Sequence, residues 1–161
     1  MSLFSVILFV ALFYASCVDI ARMEIPDLVS IGLFPTGAVW LLTYSPDKIV
    51  PNLLGAIFSL LLFYLFSRAF FVLRNKEGLG FGDVKLIASS TVWVGLQNLP
   101  IMILIAATSG LIASFYNFGK KTSTQSETRI PFGPHLAIAI WIVWFAANID
   151  LTGTGLPVLS K

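Results

Sequence analysis

Ile49-Val-Pro-Asn-Leu-Leu-Gly-Ala-Ile-Phe-Ser-Leu-Leu-Leu-Phe-Tyr-Leu-Phe-Ser-Arg-Ala-Phe-Phe-Val72 meets no charged side chain until Arg68. A helix that crosses the hydrocarbon core of a bilayer needs roughly 20 mostly apolar residues, and this run supplies them. On either side of it lie further apolar runs at about 2–18, 28–44, 84–97, 98–118 and 132–149. Six spans use roughly 120 positions and leave room for short connections only. The sequence therefore predicts an all-α polytopic membrane protein, a bundle of about six helices forming one domain over 1–161. Composition agrees: 57% of the 161 residues are hydrophobic, 11% are charged, and the mean hydropathy is +0.90. That excludes an ordinary soluble domain, a disordered chain and a basic nucleic-acid-binding surface. A single cysteine, Cys17, excludes an internal disulfide and reads as a small filler in the first helix.

The spans differ in character. No Lys or Arg precedes Arg22, so the first reads as a true span and not as a cleaved signal peptide. The second carries Pro35, a source of a kink. The fourth is short and rich in small residues (Ala88, Ser89, Ser90, Thr91), which suits a helix packed inside a bundle. Gln97-Asn98-Leu99-Pro100 makes a tight turn into the fifth. Eight basic residues (Arg22, Arg68, Arg74, Lys76, Lys85, Lys120, Lys121, Arg129) fall on one side of the bundle, and Lys48 and Lys161 on the other. The positive-inside rule assigns the crowded side to the cytoplasm, and an even number of spans then sets both termini outside. The polar segment 122–126 reads as a solvated loop on the cytoplasmic side.

Acids at or in a membrane are costly, so each calls for an explanation. Asp19 ends the first span, and Asp83 opens the fourth within Gly78-Leu-Gly-Phe-Gly-Asp-Val-Lys-Leu86. Both fall on the same face. Taken singly, each reads equally well as a helix-end acid in reach of water, and Asp83 as a cap. Gly78, Gly80 and Gly82 shift that balance, because alternate glycines permit close backbone approach and positive φ. Two carboxylates brought together cannot both ionise readily. One then keeps a proton while the other activates water, as in aspartic proteases, with neither metal nor cofactor.

The segments Asp19-Ile-Ala-Arg-Met-Glu-Ile-Pro-Asp27, Gly80-Phe-Gly-Asp-Val-Lys-Leu86 and Ile130-Pro-Phe-Gly-Pro134 resemble the three signature blocks of the type IV prepilin peptidases, in the right order in the three cytoplasmic connections. These are intramembrane aspartyl proteases of the Gly-x-Gly-Asp class. The resemblance implies that Asp19 and Asp83 are the catalytic acids. It also implies a prepilin substrate whose short basic leader is cut just before its hydrophobic helix. Gly80, Gly82, Lys85, Pro26, Pro131 and Gly133 match motif positions that shape the site. The two prolines read physically as helix starts. Asp27, eight residues after Asp19, is the competing first acid, though an N-cap role suits it. Lys85 reads either as an interfacial anchor or as a group that tunes the pair or contacts substrate. Glu24 and Glu77 are candidates to meet the basic leader, or are plain loop acids. His135 has no second His or Cys beside it, so a metal site is not expected. The aromatics of the third span (Phe58, Phe63, Tyr64, Phe66, Phe70, Phe71) read as lipid-facing, and Trp40, Tyr44, Trp93 and Trp141 as candidates for interfacial positions.

Longer members of the family carry an N-terminal extension with two Cys-x-x-Cys pairs and methylate the trimmed pilin. This chain opens on its first span and has one cysteine, so the resemblance implies cleavage without methylation. It resembles the short peptidases of Flp and tight-adherence pilus systems, with the third block fitting bacterial members better than archaeal preflagellin peptidases. The expected setting is the bacterial inner membrane, multi-pass, with the site facing the cytoplasm. The glycines before Asp83 suggest a loop able to close over an extended leader. The expected partners are the prepilin and the bilayer, with no nucleic acid. The rival class is a cation- or proton-coupled transporter or channel using paired membrane-edge acids, and an idle scaffold of a secretion machine is a third. Against a transporter stands the lack of matching repeat halves.

Overall fold

The computed structural model describes residues 3–75, 78–118 and 131–148. These form α1 (Leu3–Arg22), α2 (Asp27–Tyr44), α3 (Ile49–Arg74), α4 (Phe81–Val94), α5 (Leu99–Phe118) and α6 (Gly133–Asn148), with no strand among them. Single 3₁₀ turns at Pro46–Lys48 and Leu96–Asn98 join α2 to α3 and α4 to α5. Lys76, Glu77, Lys120, Lys121, the segment 122–126, Arg129, Ile130 and Lys161 lie outside the described residues. Four helices (α1, α2, α3, α5) are long and apolar enough to cross a membrane. At 1.5 Å per residue, the 14-residue α4 and 16-residue α6 reach about 21 and 24 Å. The chain is an all-α multi-pass membrane protein, as its apolar runs predict.

The short fourth helix is the core of the bundle. Ten of the fourteen residues of α4 are buried, against α3, α2 and α6. Lipid is as apolar as leucine, so helices here associate through close packing and polar pairs and not through expulsion of water. The sequence of α4 fits that demand. Thr91 meets Ser59 of α3, hydroxyl to hydroxyl at 3.2 Å, and Asn52 of α3 donates to the Val92 carbonyl at 2.9 Å. The buried Ser89, Ser90 and Thr91 donate their hydroxyls to carbonyls three or four residues back, so none carries an unmet proton into the core. Gly55 is the contact point on α3: a Cβ there would stand 2.9 Å from Leu96 Cβ. Only Gly55, Ala56 and Ser59 of α3 are buried. Its aromatics Phe58, Tyr64, Phe66, Phe70 and Phe71 face outward, as the sequence predicts, while Phe63 packs against the core.

Two readings change. Trp40 and Trp93 do not face outward; with Trp144 they form a buried cluster where α2, α4 and α6 meet, the first two stacked at 5.6 Å between centroids. Depth of burial within a helical run is invisible without knowing its neighbours. Cys17 is exposed on the outer face of α1 and fills no gap in the core. Pro35 sits inside α2, which stays helical on both sides of it.

Gly37 makes the tryptophan cluster possible. A Cβ at that position would lie 2.6 Å from Trp93 Nε1, the atom that donates to the Leu33 carbonyl at 2.8 Å. Alanine there must break that bond or push α2 off α4. We expect Gly37→Ala to destabilise the protein by about 2 kcal/mol, the usual scale of overpacking. A lowered thermal midpoint in detergent would show it, and an unchanged midpoint would refute it.

Candidate active site

Along α1 the buried positions are Ser5, Leu8, Leu12, Ala15 and Asp19. The alternating steps of three and four trace a single seam, which packs on α6. Asp19 is the last member of that seam, so the periodicity that buries leucines higher up buries a carboxylate at the end. It is 5% exposed. Its Oδ2 accepts the Gly133 backbone N–H at 2.8 Å. Gly133 is the first residue of α6, where the leading N–H groups have no partner within the helix. The contact is close enough to require glycine: a Cβ on Gly133 would lie 2.7 Å from Oδ2 and 2.9 Å from Cγ of Asp19. Just beyond, Met23 adopts a left-handed φ of 56° and donates its N–H to the Asp19 carbonyl at 2.8 Å, closing α1.

Asp83 occupies the third position of α4, half-buried, with Gly80 as the extended N-cap. Its carboxylate turns back to the Gly80 backbone in the manner of a capping box, and a Cβ at Gly80 would sit 3.1 Å from Oδ2. Asp83 also lies within electrostatic range of Asp19. The two acids thus lie at the same end of the bundle within electrostatic range of each other, although α1 and α4 hardly touch and are joined through α2 and α6. The glycines before Asp83 act through a missing Cβ and not through backbone freedom. Among the described glycines only Gly95 has positive φ. Gly82 lets the first connection lie on α4, where a Cβ would meet Ile25 Cβ at 3.0 Å, and Gly78 would clash with the Phe70 ring at 2.5 Å. Ser67 of α3 donates to the Leu79 carbonyl at 2.9 Å and fixes the loop from the other side. Neither the Ser67 bond nor the contact of the exposed Phe70 ring with Gly78 has a signal in the sequence, because both follow from how α3 leans on the segment before α4.

The remaining motif residues frame the pair. Pro26, not Asp27, is the N-cap of α2; Asp27 is the first helical residue and accepts from Lys85 Nζ at 2.7 Å. Lys85 Nζ also stands 4.5 Å above the Phe81 ring, so Lys85 is engaged within the fold. Pro131 precedes α6 without opening it. Phe132 accepts the first helical bond, from Leu136 at 3.0 Å, and Pro134 takes the first turn, where a missing N–H costs nothing. Glu24 is exposed beside the site, and His135 lies on α6 beyond the third block, near Gly110 of α5. Among the described residues no three His, Cys, Asp or Glu side chains gather as a metal site would require.

The sequence pattern of the type IV leader peptidase family matches residues 6–115. Proteins named prepilin leader peptidase/N-methyltransferase are similar. The one from Xanthomonas campestris pv. campestris is 36% identical over 83% of this chain and 46% of its own length. Those from Aeromonas hydrophila and Pseudomonas aeruginosa are 36% and 35% identical, over 78% and 79% of this chain and 43% of their own lengths. The chain thus spans less than half the length of these relatives. No solved structure matches. With the matched region running from the seam of α1 through both acids and most of α5, this chain belongs to the type IV leader peptidase family.

Proposed function

We propose that the chain is an aspartic endopeptidase that removes the basic leader of a prepilin at the cytoplasmic face of the bacterial inner membrane, with Asp19 and Asp83 as its catalytic acids and residues 1–161 as one peptidase domain. The observation that carries this reading is a buried acid at the end of the α1 seam with a second acid, at the mouth of α4, within its electrostatic range. In this reading the pair shares one proton. The ionised carboxylate takes a proton from a water, whose oxygen attacks the scissile carbonyl while the protonated carboxyl polarises it. The tetrahedral intermediate then breaks its C–N bond as a carboxyl proton passes to the leaving amine. The Gly133 N–H holds Asp19 in one orientation, which removes a rotational cost from each turnover. A helical peptide bond is shielded, so the substrate must be extended at the cut, and helix ends are where water and an extended segment can both arrive.

The family name supports the substrate class, and the relatives' similarity supports a peptidase; the methyl transfer in their names is said of them. Arg22 and Arg74 close α1 and α3, and Lys85 lies in the first turns of α4, near the two acids. With Arg68 they support a cytoplasmic orientation for that end by the positive-inside rule.

Co-expression with a C-terminally tagged candidate prepilin tests the reading, leader removal being followed by gel shift. Wild type should trim the pilin, and Asp83→Asn at matched membrane levels should not. Trimming untouched by Asp83→Asn would sink the dyad. Loss of proton or cation flux without any trimming by wild type would favour the transporter.

A further inference from the structure

We propose that Asp27 and Lys85 are positioning residues, their ion pair latching the start of α2 to the first turns of α4 and so setting the separation of Asp19 and Asp83. This inference rests on the dyad reading above. Since α1 and α4 hardly touch, something other than direct packing must fix the two acids relative to each other. The residues that follow Asp19 do so at two points. Ile25, buried at 7% exposure, lies against the Cβ-less face of Gly82, one residue before Asp83. Asp27 holds Lys85 at 2.7 Å, two residues after Asp83. Positions 82 and 85 are three apart on α4 and share a face, so the four-residue connection 23–26 and the residue after it are pinned along one line of the helix. Asp83 stands beside that line, between the two pinned positions.

The geometry of Lys85 separates this role from a bland membrane anchor. An anchor reaches for headgroups, whereas this ammonium is committed to Asp27 and steadied over the Phe81 ring. Phe81 is itself braced edge-on by Tyr64 of α3, with ring centroids 6.2 Å apart. The side chains are 28% and 62% exposed for Lys85 and Asp27. An ion pair this open contributes little to global stability, so its removal should alter the placement of Asp83 and not the fold. The latch also gives Asp27 an occupation other than that of first catalytic acid.

The test is steady-state cleavage of a tagged prepilin by the full chain in membranes, with thermal midpoints recorded in parallel. Asp27→Asn and Lys85→Gln should each lower kcat about five- to tenfold with KM and thermal midpoint unchanged, a placement effect well short of losing an acid. The double substitution should be no worse than either single one, because both break the same link. Lys85→Arg, which keeps the pair, should recover most of the loss. Losses that multiply in the double variant, a change in KM alone, or full activity in either single variant would overturn the latch. A different failure is recognisable: if Asp27→Asn abolishes cleavage as fully as Asp83→Asn while Lys85→Gln is harmless, the assignment of Asp19 as first acid falls.

Discussion

Asp19→Asn is expected to lower prepilin cleavage about 1000-fold or more, within the range that a lost acid–base group costs, while leaving the thermal midpoint of the protein nearly unchanged. The two halves of that expectation come from the same hydrogen bond. The Gly133 N–H needs an acceptor, and the amide oxygen of asparagine can take the place of Oδ2 at the same 2.8 Å. Asparagine also matches the volume that the α1 seam closes around. The helix terminus therefore stays satisfied, and what disappears is the capacity to carry and exchange a proton. Asp19→Ala is a harsher change, since it strips the acceptor from a buried N–H and should lower stability as well by about 1–3 kcal/mol. Comparing the two by cleavage rate and by melting separates chemistry from scaffolding. An Asp19→Asn protein that still trims the pilin at a tenth of the wild-type rate would end the claim that Asp19 acts as one of the two acids.

Much of this arrangement was legible in the chain itself, and the limits are physical. Hydropathy and length locate the spans because a bilayer has a fixed thickness, and the observed helices agree with the apolar runs to within a few residues. The small residues of α4 foretell its central place because only small side chains let backbones approach closely in lipid. The two acids stand out because charge is rare there. What the chain does not disclose is pairing. The step pattern 5, 8, 12, 15, 19 is readable along α1, but that its partner is α6, and that Gly133 supplies the donor, depends on a helix more than a hundred residues away. The same holds for Lys85, which the sequence favours as an interfacial anchor over a tuning group until Asp27 is found beside it. Glycine misleads in a related way. Gly80 and Gly82 suggest backbone freedom, yet both have side-chain room as their reason, and the neighbours that need the room belong to other segments or to the following turn.

Gly133→Ala should reduce cleavage about 100-fold, the scale of an ångström-sized misplacement of a catalytic group. The added methyl would come within 2.7, 2.9 and 3.0 Å of Oδ2, Cγ and Cβ of Asp19, all well inside ordinary contact. Relief by rotating a flexible side chain is not open, because Cβ is fixed to the α1 backbone and the seam above it is locked by the fully buried Ala15 and Leu8. The start of α6 must therefore move away, and the N–H that orients the carboxylate moves with it. Asp19 remains an acid of the same chemistry in the same sequence, so the loss should appear in kcat and should not be repaired by more substrate. Stability should fall modestly, by about 1–3 kcal/mol for local overpacking, because the rest of the α1–α6 interface has no reason to change. Gly32→Ala is the matching control: nothing stands within 4 Å of a Cβ on that helical glycine, and alanine favours the helix. If Gly133→Ala cleaves as well as Gly32→Ala, then α6 does not hold the first acid in the working enzyme, and the third motif must earn its place by touching the substrate instead.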